Sequence, residues 1–139
     1  MEIERNLSNH RIAQAKQCLK DAKSLFEKGS YKGAANRSYY CVFHCMRSLL
    51  ALKNADFRSH KGVITYFREK YIKTNIFNTQ LSGIITDLFQ MRIESDYDDY
   101  YEINKEEVSK QIENAEFFFN QINDYLKSVI AEEPAKNGN

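Results

Sequence analysis

The sequence has few of the residues that interrupt helices: one Pro, at position 134, and five Gly among 139 residues. Because Pro and Gly are the strongest markers of turns, this scarcity predicts a helical protein. The three Cys form an odd number without framework spacing, which argues against a disulfide scaffold. Cys41 and Cys45 lack the two further ligands that a zinc site needs, so we predict no metal and no cofactor.

Two further absences concern location and partners. No apolar run approaches the ~18 residues that cross a membrane, and the first residues, MEIERNLSNH, lack the hydrophobic region of a signal peptide. We therefore predict a cytoplasmic protein without membrane association. Lys and Arg number 20 against 19 Asp and Glu, which leaves a net charge of +1. The overall charge thus gives no reason to expect nucleic acid, and only a local basic patch would indicate it.

The hydrophobic pattern predicts an all-α protein, an up-and-down antiparallel bundle of about five helices. Short loops between long helices favour that topology, with the bundle over residues 1–130 and a polar, disordered tail over 131–139. The expected helices run from Ser8 to Lys28, from a Ser30 cap to Asn54, onward from a Ser59 cap, from after Asn78 to the late 90s, and onward from Asn104.

The last of these helices has the clearest pattern. Asn104 followed by Glu107 resembles a capping box. Apolar residues then recur at spacings of four and three, which is typical of a long helix packed at a shallow angle in a bundle. The positions of this seam are Val108, Ile112, Ala115, Phe119, Ile122, Leu126 and Val129.

The second helix is unusual because residues 34–52 contain no Lys and no acid. One side is apolar, and the opposite side carries Arg37, Cys41, His44, Ser48 and Ala51. A helix without a solvated face is central to a bundle or pressed against a second subunit. Arg37 and His44 share a face about 10.5 Å apart, so they suit two groups of an extended ligand such as a nucleotide. In the structural alternative, Arg37 pairs with an acid and His44 caps a carbonyl.

The fourth helix and the start of the third contribute further polar candidates. The seam of the fourth helix continues from Leu88 to Arg92, with Asp96 one turn later, and charge at core-facing positions is costly unless paired or functional. A structural ion pair is the alternative to a site. His60 lies at a helix N-terminus, where the dipole favours neutral imidazole. That suits a general base and equally a packed ring.

Three blocks together resemble a known family: ANRSYYCVFH on the second helix, SHKGVITYF at the start of the third, and RIESDY at the end of the fourth. They occur in the order found in the HEPN superfamily, and the resemblance spans about residues 10–128. Within the superfamily, the three blocks look like those of its small stand-alone bacterial and archaeal members. The resemblance implies a helical bundle that is usually homodimeric.

The resemblance also implies two kinds of activity. Many members are metal-independent ribonucleases, in which an Arg is followed after about four to six residues by a His that acts as acid and base. The Arg corresponds to Arg92, but the expected His positions hold Tyr97, Asp98 and Asp99. Arg37 and His44 have that spacing on an earlier helix. Other members are companions of small nucleotidyltransferases in toxin–antitoxin or stress modules.

We therefore predict a dimeric binding partner in a nucleotidyltransferase-linked toxin–antitoxin, defence or stress module, which contacts nucleotide or RNA phosphate in an inter-helix cleft. The first alternative is a metal-independent ribonuclease toxin that uses Arg92 or Arg37 with His44 or His60. The second is a non-catalytic helical assembly protein. The candidate catalytic residues are His44 and Arg92, and the candidate cleft residues are Arg37, Tyr40, His60, Asp96 and Tyr97.

Overall fold

The computed structural model describes residues 2–98 and 100–132, and in these residues all regular structure is helical. The elements are α1 (Glu2–Glu27), α2 (Tyr31–Leu52), α3 (His60–Phe67) with a π-helical turn (Arg68–Ile72), α4 (Gln80–Tyr97) and α5 (Lys105–Glu132). The predicted all-α bundle of five helices is confirmed. Of the predicted tail, the first two residues belong to α5, and residues 133–139 lie outside the described part.

The first helix begins earlier than predicted and ends where predicted. It starts at Glu2 rather than Ser8, because the acids of its first turn interact favourably with the helix dipole. The apolar pattern did not predict this turn, since Ile3 is 82% exposed. Gly29 adopts φ 81°. Ser30 N–H donates to Leu25 O at 2.8 Å, and this bond closes the helix with a left-handed glycine cap.

The predicted helix caps differ in outcome. The Ser59 hydroxyl accepts a hydrogen bond from Gly62 N–H at 3.0 Å, and the Asn104 side chain accepts one from Glu107 N–H at 3.1 Å. The predicted Ser30 cap is wrong, because its side chain makes no capping hydrogen bond. The cause is its backbone: ψ is 78° at Ser30 but 146° at Ser59, which has the extended conformation of a cap.

The second helix is central in the bundle. It packs against α1, α3, α4 and α5, and its side of small residues is covered by the same chain. Cys41 is fully buried with its sulfur 4.0 Å from Ala115 O of α5, and Ser48 is fully buried as well. The missing solvated face therefore has an explanation within one subunit. A homodimer stays a prediction that this face does not support.

The fourth helix corrects the predicted seam. Its buried residues are Leu81, Ile84, Ile85, Leu88, Met91 and Ser95. At 3.6 residues per turn the buried stripe passes from Leu88 to Met91 and Ser95, so Arg92 lies beside the core rather than in it. The Arg92 side chain is 20% exposed and that of Asp96 is 30% exposed. Over the same described ranges, every helix is too short or too polar to span a bilayer.

Candidate functional site

Two guanidinium groups contact the ring of Tyr40. Arg37 Cζ lies 5.2 Å from the ring centroid and Arg92 Cζ lies 5.4 Å from it. Arg92 also lies 5.1 Å from the Tyr39 ring, so it joins α4 to α2 by cation–π contacts. We call the side chains gathered here the arginine–tyrosine cluster: Arg37, Tyr39, Tyr40, His44, His60 and Arg92.

Helical spacing explains why α2 supplies most of this cluster. Arg37, Tyr40, His44 and Arg47 follow one another at intervals of three, four and three residues, which places them within about 80° of one another around the helix. All four side chains are half-buried at the edge of the bundle. They therefore reach solvent while their stems pack on the core, as amphipathic side chains do.

The positive charge of the cluster is poorly compensated. Arg37 donates to Asn36 Oδ1 at 3.1 and 2.7 Å, and it has no carboxylate partner within residues 2–98 and 100–132, so these residues do not supply the acid of the structural alternative. Arg92 Nε lies 3.6 Å from Asp96 Oδ2, too far for a hydrogen bond, and this nitrogen has no other acceptor in the described chain. Arg92 Nε is itself buried, so an anion would meet the terminal nitrogens of Arg92, which make no hydrogen bond in the described chain, and Arg37 Nη1, whose contact is Cys18 Sγ at 3.9 Å.

His60 enters the cluster from α3. Its Nδ1 lies 2.7 Å from the Tyr39 hydroxyl, and its ring stacks on Phe43 at 4.1 Å. Burial lowers the pKa of His60, and the charges of Arg92 and Arg47 lower it further. Burial raises the pKa of the Tyr39 hydroxyl, which stays protonated. The pair is therefore neutral at pH 7, with Nδ1 committed to Tyr39.

His44 is the other histidine of the cluster. Its ring centroid lies 6.1 Å from that of Tyr40, and its Nδ1 has no hydrogen-bond partner among the described residues. Burial, followed by the charges of Arg47 and Arg37, lowers the pKa of His44 to about 4. The imidazole of His44 is therefore neutral at pH 7, and the neighbouring arginines oppose its protonation.

The structure brings together all the predicted site residues except Tyr97. Asp96 reaches the cluster through Arg92. Tyr97 follows Arg92 by five residues, about 140° around α4, and it is 79% exposed at the helix end. Asp98 is the residue that follows α4, and Asp99 lies outside the described residues.

A hydrogen-bonded network beside the cluster was not predicted from the sequence. Arg11 of α1 is 7% exposed and donates to Arg47 O at 3.1 Å and to Asp56 Oδ2 at 3.3 Å. Arg47 donates to the same Asp56 oxygen at 3.0 Å, while Asp56 Oδ1 accepts from Phe57 N–H at 2.9 Å. Asp56 thus fixes the connection between α2 and α3. The spacing from His44 could have indicated Arg47, but nothing periodic marks Asp56.

Replacing Asp56 with alanine is expected to lower the free energy of unfolding by about 1–2 kcal/mol, because buried Arg11 would lose its counter-ion. The effect stays below the ~3–5 kcal/mol of a fully buried pair, since the Asp56 side chain is 49% exposed and water replaces part of the interaction. Urea unfolding measures it, and Asp87→Ala, an exposed acid of α4, is the control. Adding Arg11→Met should recover part of the loss, and no recovery would contradict this role.

The structure thus places the chain in a class of proteins: all-helical bundles, here with a cationic, aromatic cluster between the second, third and fourth helices. The chain belongs to the HEPN domain family, which it matches over residues 8–125. This match confirms the resemblance carried by the three sequence blocks.

Curated relatives cover most of the chain. It is 32% identical over 117 residues to "Putative toxin MJ0142" of Methanocaldococcus jannaschii, covering 84% of this chain and 80% of that protein. It is 33% identical over 119 residues to "Putative toxin MJ0605" of the same organism, covering 86% and 88%. It is 32% identical over 116 residues to a "UPF0332 protein" of Thermotoga maritima, covering 84% and 88%.

Proposed function

We propose that this protein is the HEPN component of a toxin–antitoxin, defence or stress module, and that its arginine–tyrosine cluster binds the phosphates of RNA or of a nucleotide. The observation that carries the proposal is that two guanidinium groups, those of Arg37 and Arg92, contact the ring of Tyr40. Neither makes a hydrogen bond to a carboxylate in the described chain. Guanidinium groups are the preferred protein ligands of phosphate, and aromatic rings between them suit bases. The names of two relatives support a toxin-type module.

The proposal includes a dimer and a nucleotidyltransferase partner. Both come from the family resemblance, and two exposed aromatic residues, Tyr97 at the end of α4 (79%) and Tyr100 just after it (94%), offer surface for a partner. Light scattering of the purified protein tests the dimer, and a monomer at micromolar concentration would contradict it. Co-purification with the product of a neighbouring nucleotidyltransferase gene tests the partner.

The phosphate site is tested with a fluorescein-labelled single-stranded RNA of twelve nucleotides and fluorescence anisotropy. Arg37→Gln and Arg92→Gln are each expected to weaken binding by about 10- to 100-fold, the value of a charge-assisted hydrogen bond. Lys110→Gln removes the same charge from an exposed position of α5 and is the matched control. The dissociation constant should also rise steeply with salt.

Two outcomes would count against this proposal. If Lys110→Gln weakens binding as much as Arg92→Gln, attraction is non-specific and the cluster is not the site. If the wild-type protein binds no RNA and no nucleotide, the polar cluster only orients helices, as in an assembly protein. Circular dichroism of each variant confirms that the fold persists.

A metal-independent ribonuclease is the second candidate, favoured by the placement of His60. Its neutral ring lies in the same cluster as Arg92, and in the tautomer whose Nδ1–H donates to the Tyr39 oxygen, Nε2 accepts a proton from a substrate hydroxyl. Arg92 would stabilise the charge that develops on phosphate. Incubating RNA with the protein and EDTA tests it: cleavage that His60→Gln and Arg92→Gln abolish would establish an enzyme, with His44→Gln tested in parallel.

A further inference from the structure

A separate pocket shares His60 with the cluster. It is an open depression of about 430 Å³ and lies where the connection between α2 and α3 passes over the end of α2. We call it the Phe57 pocket, and its lining residues are Phe43, Arg47, Asp56, Phe57, Arg58 and His60. The phosphate site proposed above does not use Phe57 or Arg58.

The pocket is cationic. Arg47 and Arg58 line it, and Arg11 lies directly behind Asp56. Both oxygens of the single carboxylate accept hydrogen bonds from the protein, one from the two guanidinium groups and the other from Phe57 N–H. Three guanidinium charges against one carboxylate leave the region with a charge of +2 while His60 is neutral. A ligand of this pocket is therefore an anion.

The pocket also has an exposed aromatic wall. Phe57 is 44% exposed, although most large apolar side chains of this chain are buried. Gly62 allows its position, because a Cβ on that residue would lie 2.9 Å from Phe57 Cβ. The Phe57 ring packs only partly, with its centroid 5.7 Å from that of Tyr66. A partly free ring beside guanidinium groups is the arrangement on which nucleobases stack.

We infer that the Phe57 pocket binds the base of a nucleotide by stacking on Phe57, with the phosphate of that nucleotide at Arg58 and Arg47. This inference rests on the proposed function, since His60 forms the wall between the pocket and the arginine–tyrosine cluster. A single strand of RNA would place one base in the pocket and neighbouring phosphates at Arg37 and Arg92. The pocket thus selects ligands that carry a base over bare phosphate.

Isothermal titration calorimetry with adenosine 5′-monophosphate and ribose 5-phosphate tests this selection. The wild-type protein should bind the nucleotide at least 10-fold more tightly, because stacking of one base on an aromatic side chain has about that value. Phe57→Ala should remove the preference, and Arg58→Gln should weaken both ligands. Phe117→Ala is the matched control, since that ring is 39% exposed on α5, away from the pocket.

A second variant tests the position of the Phe57 ring without removing the ring. Gly62→Ala keeps the Phe57 ring but forces it to move, and it should also reduce the preference for the nucleotide. Equal binding of the two ligands by wild type, absence of nucleotide binding, or a preference that survives Phe57→Ala would each overturn the inference.

If Arg37→Gln and Arg92→Gln leave RNA binding unchanged while Phe57→Ala removes the nucleotide preference, the proposed phosphate cluster fails and the pocket stands. The reverse pattern retains the cluster and rejects the pocket.

Discussion

Replacing Phe118 with alanine is expected to lower the free energy of unfolding by about 3–5 kcal/mol, the usual cost of truncating a fully buried phenylalanine. Phe118 is 0% exposed, and its ring centroid lies 5.7 Å from that of Phe67 in α3, which is equally buried. The lost transfer free energy and the remaining cavity act together, because α5 and α3 are held by the rest of the bundle. Urea unfolding followed by circular dichroism measures the loss.

The chain supplies a close control in the preceding residue. Phe117 has the same side chain and is 39% exposed, so Phe117→Ala should cost less than about 1 kcal/mol. Helix propensity changes equally in the two variants, so their difference isolates burial. Equal losses would contradict the orientation of α5 about its axis, and with it the packing of the helix on α1, α2 and α4.

This pair also shows how far periodicity could predict the core. The seam of α5 was predicted through Phe119, which is 8% exposed, but the strict spacing of four and three omitted Phe118. The fifth helix packs against α1, α2 and α4, and a helix with three neighbours buries a wider stripe than a two-helix seam. The spacing selected Phe119 from three consecutive phenylalanines, but it did not indicate that Phe118 is buried as well.

The candidate site was predicted in its residue types but not in its contacts. Arg37, Tyr40 and His44 lie on one helix, and their spacing predicts that they share one face of it. The contact of Tyr39 with His60 joins positions 21 apart, and those of Arg11 join positions 36 and 45 apart. Such pairings depend on how the helices cross, which a single sequence does not contain. Arg92 was identified through its charge, although its predicted place within the core was wrong.

The two histidines of the cluster show why the sequence left several roles open. Both are neutral at pH 7, because burial lowers the pKa of each and neighbouring arginines lower it further. His60 differs in that it also makes a hydrogen bond with the Tyr39 hydroxyl. The helical spacing of Arg37, His44 and Arg47 indicates part of the effect on His44, whereas its burial and the contact of His60 with Tyr39 depend on how the helices pack. The difference matters for chemistry, because His60 has an oriented ring and His44 has an unpartnered Nδ1. It also gives the fold a dependence on pH.

Lowering the pH from 7 to 4 is expected to cost the folded protein about 2–3 kcal/mol through His44 alone. Its pKa is about 4 in the folded state and ~6.5 in the unfolded state, so within this window the unfolded state binds the additional proton. Stability from this group is complete above pH ~6.5 and falls as the pH approaches 4. The facing groups Arg47, Arg37, Arg11 and His10 oppose an imidazolium there, in addition to burial.

The measurement is the free energy of unfolding in urea between pH 7 and pH 4 for wild type and His44→Gln. Glutamine does not titrate, so the wild-type curve should fall more steeply by about 2–3 kcal/mol, while carboxylates and His60 contribute equally to both curves. Parallel curves for wild type and His44→Gln would mean that the pKa of His44 is the same in the folded and unfolded states, which would contradict its burial beside Arg47 and Arg37.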